Sequence, residues 1–382
     1  MTSIAASAPS ATRCGDCGPE PVVAVSARWQ THLVRVLVAM SGGVDSSVAA
    51  SLLVEQGHEV SGVTLKLWGG SSDSGCCSVA DVADAARVAS QLGIAHHVAN
   101  LGDEFDDHVV RPYVTSHLIG ETPNPCIECN RHIKFGRLLE MSDRLGFDAL
   151  ATGHHARVIT VEGAPSLRRG VDPGKDQSYV LSMLVADQLG RILLPVGELT
   201  KAEVRAHARA RGLRSADKAE SQEVCFISSE RGRRGFLEEH AELTPGRLVD
   251  VSSGLEVGTI DAVELVTVGQ KRRMGVDVQG QRRVAVRVDI NEARVLVASP
   301  LMARIRELSI DIDQASWVDG SPPADRRVLV QLRAHAEAVP ALIVGGSIEL
   351  EDAIDPVAPG QTAAFFSPRD PGRVLGSATV QP

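Results

Sequence analysis

Three short stretches hold the residues best suited to chemistry. The first is Ser41-Gly42-Gly43-Val44-Asp45-Ser46-Ser47, which follows a run where Val34, Val36 and Val38 alternate with Arg35, Leu37 and Ala39. That β-branched run reads as a buried strand. The two glycines permit a close backbone approach that a Cβ would block. A helical pattern follows from Ser46 to Gln56, with Gly57 placed to end it. A strand, a glycine turn and a helix N-terminus aim backbone N–H groups at an anion, and phosphate is the natural one. Asp45 is suited to act through Mg2+ on such phosphates, because hard oxygen ligands suit that ion. A plainer reading, a turn that only packs a helix on a sheet, leaves the hydroxyls and the carboxylate after the glycines without a purpose.

The second stretch is Thr122-Pro123-Asn124-Pro125-Cys126-Ile127-Glu128-Cys129-Asn130. Its two prolines predict an extended or turned loop around Asn124, ahead of a helix over residues 133–145. Cys129 is then expected near a helix N-terminus, where Arg131, His132 and Lys134 favour its thiolate. The third stretch, Ser221-Gln222-Glu223-Val224-Cys225-Phe226-Ile227, carries a cysteine that by itself reads as a small buried hydrophobe.

The elements that must position these residues fall into two kinds. From Val34 to about Gly212 strands and helices alternate: residues 60–68 and 94–98 as strands, a helix capped by Ser78 and Asp81 and closed by Gly93, then a strand 149–152 that runs into Gly153-His154-His155. Thr200 caps a last helix, with Glu203 three residues on. This order predicts an α/β unit with a parallel sheet, helices on both faces, and a ligand beyond the carboxyl ends of the strands. After Ala219 come short β-branched runs between glycines, among them 249–251, 255–260, 263–268, 284–290 and 295–298, then 328–332, 362–366 and 374–375. They predict small antiparallel sheets or barrels. The expected division is a disordered tail over 1–33, a nucleotide-binding unit over 34–218, a small mostly β central unit over 219–279 and a C-terminal β-barrel over 280–382.

Composition narrows the class. With 382 residues, two or three domains are expected. No apolar run is long enough to span a bilayer, which predicts a cytoplasmic protein with no membrane partner. A net charge of −9 argues against uniform affinity for nucleic acid but leaves room for local patches. Arg231, Arg233 and Arg234 form one such patch; Lys271, Arg272 and Arg273 with Arg282 and Arg283 form another. Solvated faces are the plainer reading of such runs, yet in a net-acidic chain phosphate contacts are favoured. Seven cysteines are too sparse for a secreted disulfide scaffold. Cys14 and Cys17 in the tail lack a second pair at zinc-ribbon spacing, and Cys76 and Cys77 have no evident role.

The turn at Ser41 differs from G-x-x-x-x-G-K-[ST], since no lysine follows it, and from G-x-G-x-x-G. It resembles the PP-loop of ATP pyrophosphatases, which split ATP between the α and β phosphates. In order, S-G-G-V-D-S-S, T-P-N-P-C-x-x-C-N-x-x-I-K-F, G-H-H, G-K-D-Q-S-Y and S-Q-E-V-C-F-I resemble the tRNA-specific 2-thiouridylase family. Looser likenesses, V-G-Q-K-R-R-M-G-V and P-G-Q-T-A-A-F-F, continue beyond.

The resemblance implies sulfur insertion at the 2-position of the wobble uridine in tRNAs for Lys, Glu and Gln, with ATP and Mg2+. Ala39, Met40, Ser41, Gly42, Gly43, Val44, Asp45 and Ser46 would hold ATP, with Leu65 on the adenine and Gly153 beside the nucleotide. Asn124, Pro125 and Cys126 match the segment at the target base, Cys129 the catalytic cysteine and Cys225 the persulfide carrier. His154, Lys175, Asp176, Gln177, Arg333 and Gln361 match tRNA contacts. The sulfur donor would be a cysteine desulfurase or a relay protein. Many relatives carry Asp at the position of Cys126, and Arg-Tyr where this chain has Arg333-Ala334.

Other readings stay open at this point. Cys126, Cys129 and Cys225 could ligate a [4Fe–4S] cluster that binds sulfide. An amidating ligase of the same ATP-cleaving type would need an ammonia source, and no amidotransferase domain is evident. A zinc-stabilised RNA-binding module on the C-x-x-C pair leaves the glycine turn unexplained.

Overall fold

In a computed structural model of the chain, the described residues are 33–67, 79–218, 224–227 and 230–382, with the backbone of 23–24. Ser78, Cys14, Cys17, Cys76 and Cys77 lie outside them. Val23–Ala24, within the stretch expected to lack order, forms a two-residue strand paired antiparallel with Thr160 and Ile159.

The first unit is built on β1 (Arg35–Ala39), whose side chains divide by parity. Val36 and Val38 join one hydrophobic cluster and Leu37 the other, because successive side chains of a strand point to opposite faces. Helices α1 (Val44–Glu55), α2 (Val79–Leu92) and, later in the chain, α3 (Lys201–Ala210) cover the first face through Val48, Val88 and Val204. The opposite face is covered by a continuous helical run over 125–144 through Ile133 and Leu138. Each apolar side chain fully buried in this way stabilises the fold by about 1.5–3 kcal/mol.

Around β1 the sheet adds β2 (Glu59–Lys66), β3 (Ala95–Asn100), β4 (Ala149–Ala151) and, after a hairpin, β7 (Ile192–Leu193), in the order β3-β2-β1-β4-β7. Every pairing in it is parallel. The intervening hairpin, β5 (Ala156–Val161) with β6 (Ala164–Arg169), does not stand out in the sequence. Its Glu162-Gly163 turn has positive φ at both residues, 49° and 83°, the geometry that matches strand twist.

The helix expected from residue 133 starts eight residues earlier. Pro125 occupies its first turn, where a missing N–H costs nothing, and the Asn124 side chain caps it by accepting from the Cys126 N–H at 3.1 Å. Cys129 therefore sits in the second turn rather than at the N-terminus, at the start of a π-wound segment, Cys129–Arg137. Wide turns of this kind recur at functional sites.

Beyond residue 245 a four-stranded sheet orders Glu256–Ile260, Gly246–Asp250, Arg294–Ala298 and Val284–Asp289. Strands on both sides of Gly280 belong to it, so 284–298 is tied by hydrogen bonds to the central unit rather than to the C-terminal barrel. The strand expected over 263–268 is a short 3-10 turn, Val263–Leu265. There the buried Glu264 carboxylate holds the Thr244 N–H at 3.0 Å, and Val263 and Val266 point into one core.

From Ile305 onward a seven-stranded antiparallel sheet runs Ile305–Ser309, Ser347–Ile354, Val339–Val344, Arg327–Gln331, Thr362–Phe366, Val374–Thr379 and Ser316–Trp317. A bridge between Ile310 and Val380, with Gln381 N–H donating to Ser309 O at 2.9 Å, rolls it into a barrel. This barrel packs on the first unit. Phe366 and Val374 share a core with Ile127 and Tyr179, and Tyr179 Oη donates to Thr362 O at 3.0 Å.

Candidate active site

The carboxyl ends of β1, β2 and β4 open onto a cavity of about 360 Å3, within the range of small-molecule sites. Its apolar wall is made by Ala39, Met40, Val63 and Leu65, and its polar wall begins at Ser41. Gly42 has φ +71°, and a Cβ on it would lie 2.6 Å from the Asp81 carbonyl oxygen. The turn therefore needs glycine twice over, for dihedral and for space. Gly43 caps α1 with no side chain, which leaves the first-turn N–H groups facing the cavity mouth without a built-in cap. Ser46 and Ser47 fold their hydroxyls back on the Gly43 carbonyl at 3.2 and 2.8 Å, and Ser46 Oγ accepts from the Ser41 N–H at 3.2 Å.

Asp45, in the first turn of α1, is bound on both oxygens by Lys201 Nζ at 2.8 Å, and His155 Nε2 lies 3.1 Å from one of them. Burial works to raise its pKa, but the hydrogen bonds from His155 and Lys201 prevail and hold it below the ordinary carboxylate value. It is ionised at neutral pH. On the other side of the turn, Lys218 bonds Asp81 at 2.7 Å and Asp84 at 2.9 Å. Lys134, Lys175, Lys201 and Lys218 all line the same cavity. The sequence reading missed Lys201, Lys218 and His155, and it assigned Lys134 to the Cys129 thiolate rather than to this cavity; Lys201 directly follows the Thr200 cap, and only the fold carries it to Asp45.

Gly153, His154, Lys175 and Gln177 also reach this cavity. His154 is buried, with Nδ1 2.7 Å from Thr152 Oγ1. Burial, then the charges of Lys134 and His155, push its pKa well below the usual value, so it is neutral. Gln177 pairs with the His155 main chain in both directions at 2.8 Å. Asp176 faces inward: it accepts from Arg169 at 2.8 Å, from the N–H groups of Gly170 and Ser178, and from Ser178 Oγ. That carboxylate is fully engaged within the protein.

Asn124 and Pro125 open the helical run that carries the thiols. Cys126 is exposed, Cys129 is 7% exposed in the core between Ile127 and Ile133, and Cys225 packs half-buried against that same core. Asn130, beside Cys129, is buried and donates to Val180 O at 2.9 Å. Among the described residues no three His, Cys, Asp or Glu side chains gather closely enough to hold a metal ion. Cys126, Cys129 and Cys225 therefore form no ready socket for a cluster in this conformation. A magnesium ion fits better, since Asp45 offers an ionised oxygen donor at the cavity where phosphates would supply the other oxygens.

Of the C-terminal candidates, Gln361 borders the same loop. Gln361 Nε2 donates to the Thr122 carbonyl, and Arg333 reaches Pro356 O at 3.5 Å. The basic patches divide. Arg231 pairs with Glu239, Arg233 donates to Leu265 O, Arg234 pairs with Glu238, and Lys271 with Asp355. Arg283 is buried on Asp250 at 3.0 Å, which makes it part of the core rather than a phosphate contact. Arg272, Arg273 and Arg282 are exposed.

A parallel sheet with a glycine turn at its switch strand, a lysine-lined cavity and a cysteine-bearing helix beside it define a nucleotide-binding enzyme of the PP-loop class, extended by two β-rich units. Residues 34–229 match the model of the tRNA methyl transferase HUP domain, and 308–380 that of the aminomethyltransferase β-barrel domain. Over 360 residues the chain is 46% identical to the tRNA-specific 2-thiouridylase MnmA of Chloroflexus aurantiacus, covering 91% of this chain and 98% of the relative. It is 41% identical to that of Roseiflexus castenholzii, covering 91% and 99%, and 42% identical to that of Cutibacterium acnes, covering 91% and 96%. The chain belongs to the tRNA-specific 2-thiouridylase family. Among the described residues no helix is long and apolar enough to cross a membrane.

Proposed function

We propose that this chain replaces the 2-oxygen of the wobble uridine with sulfur in tRNAs for Lys, Glu and Gln, spending ATP and leaving AMP and pyrophosphate. A pyrimidine 2-carbonyl resists substitution because its oxygen is a poor leaving group. Adenylation of that oxygen converts it to AMP, and a sulfur nucleophile then adds at the carbon and expels it. The glycine turn and α1 supply N–H donors to the phosphates, and Leu65 an apolar rest for the base. When bound, Mg2+ would be held by the phosphates with Asp45 and would screen their charge.

Cys225 is the proposed persulfide carrier, loaded by a cysteine desulfurase or a relay protein, and Cys129 its partner. Either Cys129 attacks that persulfide to release sulfide, or it resolves a disulfide after transfer. Both routes end in a Cys129–Cys225 disulfide that must be reduced. Asn124, Pro125 and Cys126 would border the target base, with His154, Lys175, Gln177, Arg333 and Gln361 along the RNA. The observation that carries the reading is that one helical run, 125–144, holds the buried Cys129 one turn beyond an Asn-Pro cap and sends Lys134 to the cavity headed by the glycine turn.

The test measures ATP- and tRNA-dependent pyrophosphate release and scores thiolated nucleoside by mass spectrometry. Wild type should do both. Cys129→Ser and Cys225→Ser should lose thiolation. Thiolation that survives loss of Cys129 would overturn the scheme.

A further inference from the structure

Arg169, the last residue of β6, is gripped from two units at once. On the barrel side its guanidinium lies 3.8 Å over the Phe366 ring and donates to Gln331 Oε1 at 2.8 Å. On the side of the first unit it donates to Asp176 Oδ2 at 2.8 Å. Both partners are also engaged at their other atoms. Asp176 Oδ1 accepts from the Gly170 and Ser178 N–H groups at 2.9 and 3.1 Å, which ties residues 170–178 into one loop. Lys175 and Gln177 of that loop line the cavity, and Gln177 pairs with the His155 main chain. The Gln331 amide, 1% exposed, donates at 2.9 Å to the carbonyls of both Arg333 and Ala334. One chain of hydrogen bonds therefore runs from the Arg333 main chain through Gln331, Arg169 and Asp176 to the loop at the cavity.

We infer that Arg169, Asp176 and Gln331 are positioning residues that set the register between RNA held along the barrel and nucleotide held in the cavity. This rests on the function proposed above, in which Arg333 lies along the RNA and Lys175 and Gln177 face the reacting end. An arginine suits the hub because its planar fork reaches two acceptors at once while its face rests on an aromatic ring. A glutamine suits position 331 because one amide accepts at its oxygen and donates from its nitrogen. Asp176 thus acts on the RNA through its neighbours rather than by touch. Register matters most at adenylation. There uracil O2 forms a bond to the α-phosphorus, the bond from that phosphorus to the bridging oxygen breaks, its electron pair leaves on pyrophosphate, and the N3 proton passes to solvent. The attacking oxygen has to meet the phosphorus in line, at about 3–3.5 Å, and a slip of about 1 Å costs rate far more than affinity. The many contacts along the RNA survive such a slip, but the reacting geometry does not.

Initial rates of pyrophosphate release from the full chain, with ATP and an unmodified transcript of the tRNA for Glu each varied, test this. Arg169→Lys keeps a positive charge beside Asp176 but cannot reach both acceptors. Gln331→Glu keeps the acceptor for Arg169 and loses only the donors to the Arg333 and Ala334 carbonyls. Each should lower kcat about ten- to a hundredfold while both KM values, and ATP affinity without RNA, stay within about threefold. The double variant should be no slower than the slower single one, since both cut the same chain of bonds. Should Gln331→Glu fail to fold, Arg169→Lys keeps the test sound, because the Arg169 side chain is 29% exposed against 1% for Gln331. An unchanged kcat in folded variants, a rise in KM alone, or an equal loss of ATP affinity without RNA would overturn the positioning role. Wild type that releases no pyrophosphate when given this tRNA would overturn the underlying function instead.

Discussion

Gly153 rests directly on Ser46: a Cβ at Gly153 would lie 2.5 Å from the Ser46 nitrogen and 2.7 Å from the Asp45 carbonyl carbon. The strand end that leads into His154 and His155 is therefore stacked on the first turn of α1, and the two cannot move independently. Gly153→Ala should push that turn away, lowering stability by about 1–3 kcal/mol and weakening ATP binding. Thermal melts and an ATP titration check it; an alanine variant with wild-type values in both would show the packing there to be slack.

The three thiols differ in access, and alkylation should rank them. Cys126 is exposed, Cys225 half-buried and Cys129 7% exposed. Peptide mapping after brief iodoacetamide treatment should find Cys126 modified first, with Cys129 about tenfold slower or more. Equal labelling of Cys126 and Cys129 would contradict the burial described.

His117 gives a pH dependence of stability. It is 1% exposed, and its neighbours are the Tyr113 ring, Arg233 and the Glu264 main chain. Burial, then the Arg233 charge, lowers its pKa from 6.5 to about 4. Between those values the unfolded chain takes up a proton that the native state refuses. Stability from this group is fully present above pH 6.5 and is lost progressively toward pH 4, by roughly 3 kcal/mol. Urea melts of wild type and His117→Leu across that window should show the variant losing less.

The arginines after Gly269 should separate by role. Arg283→Ala leaves Asp250 buried without its ion partner and should cost about 3 kcal/mol with no change in the salt dependence of tRNA binding. Replacing exposed Arg272, Arg273 and Arg282 should leave the melt alone and reduce the slope of log affinity against log salt by roughly one for each phosphate no longer neutralised. The reverse pattern would show that burial misassigns them.

What could be read from the sequence was what local chemistry decides. The parity of Val36, Leu37 and Val38 revealed the strand and its two faces, and Thr200 with Glu203 announced a capping box seen at 3.3 and 2.7 Å. The glycine turn was legible because few residues other than glycine tolerate its geometry. What stayed hidden depends on long-range meetings. Lys201 and Asp45 are 156 residues apart, and no spacing announces them. Pro125 looked like a helix breaker because its place at the first turn depends on where the Asn124 cap falls. Gly280 looked like a boundary because the parallel pairing of Arg294–Ala298 with Gly246–Asp250 leaves no trace in composition.

Thr122 N–H donates to Pro359 O at 2.8 Å, and Gln361 answers on the Thr122 carbonyl. The barrel thus braces, from outside, the loop that starts the cysteine helix. It is a buttress, not a passenger. A fragment cut before Ile305 would keep its own sheet yet lose the wall its most important loop leans on, so the two ends of this chain have to be inherited, expressed and redesigned together.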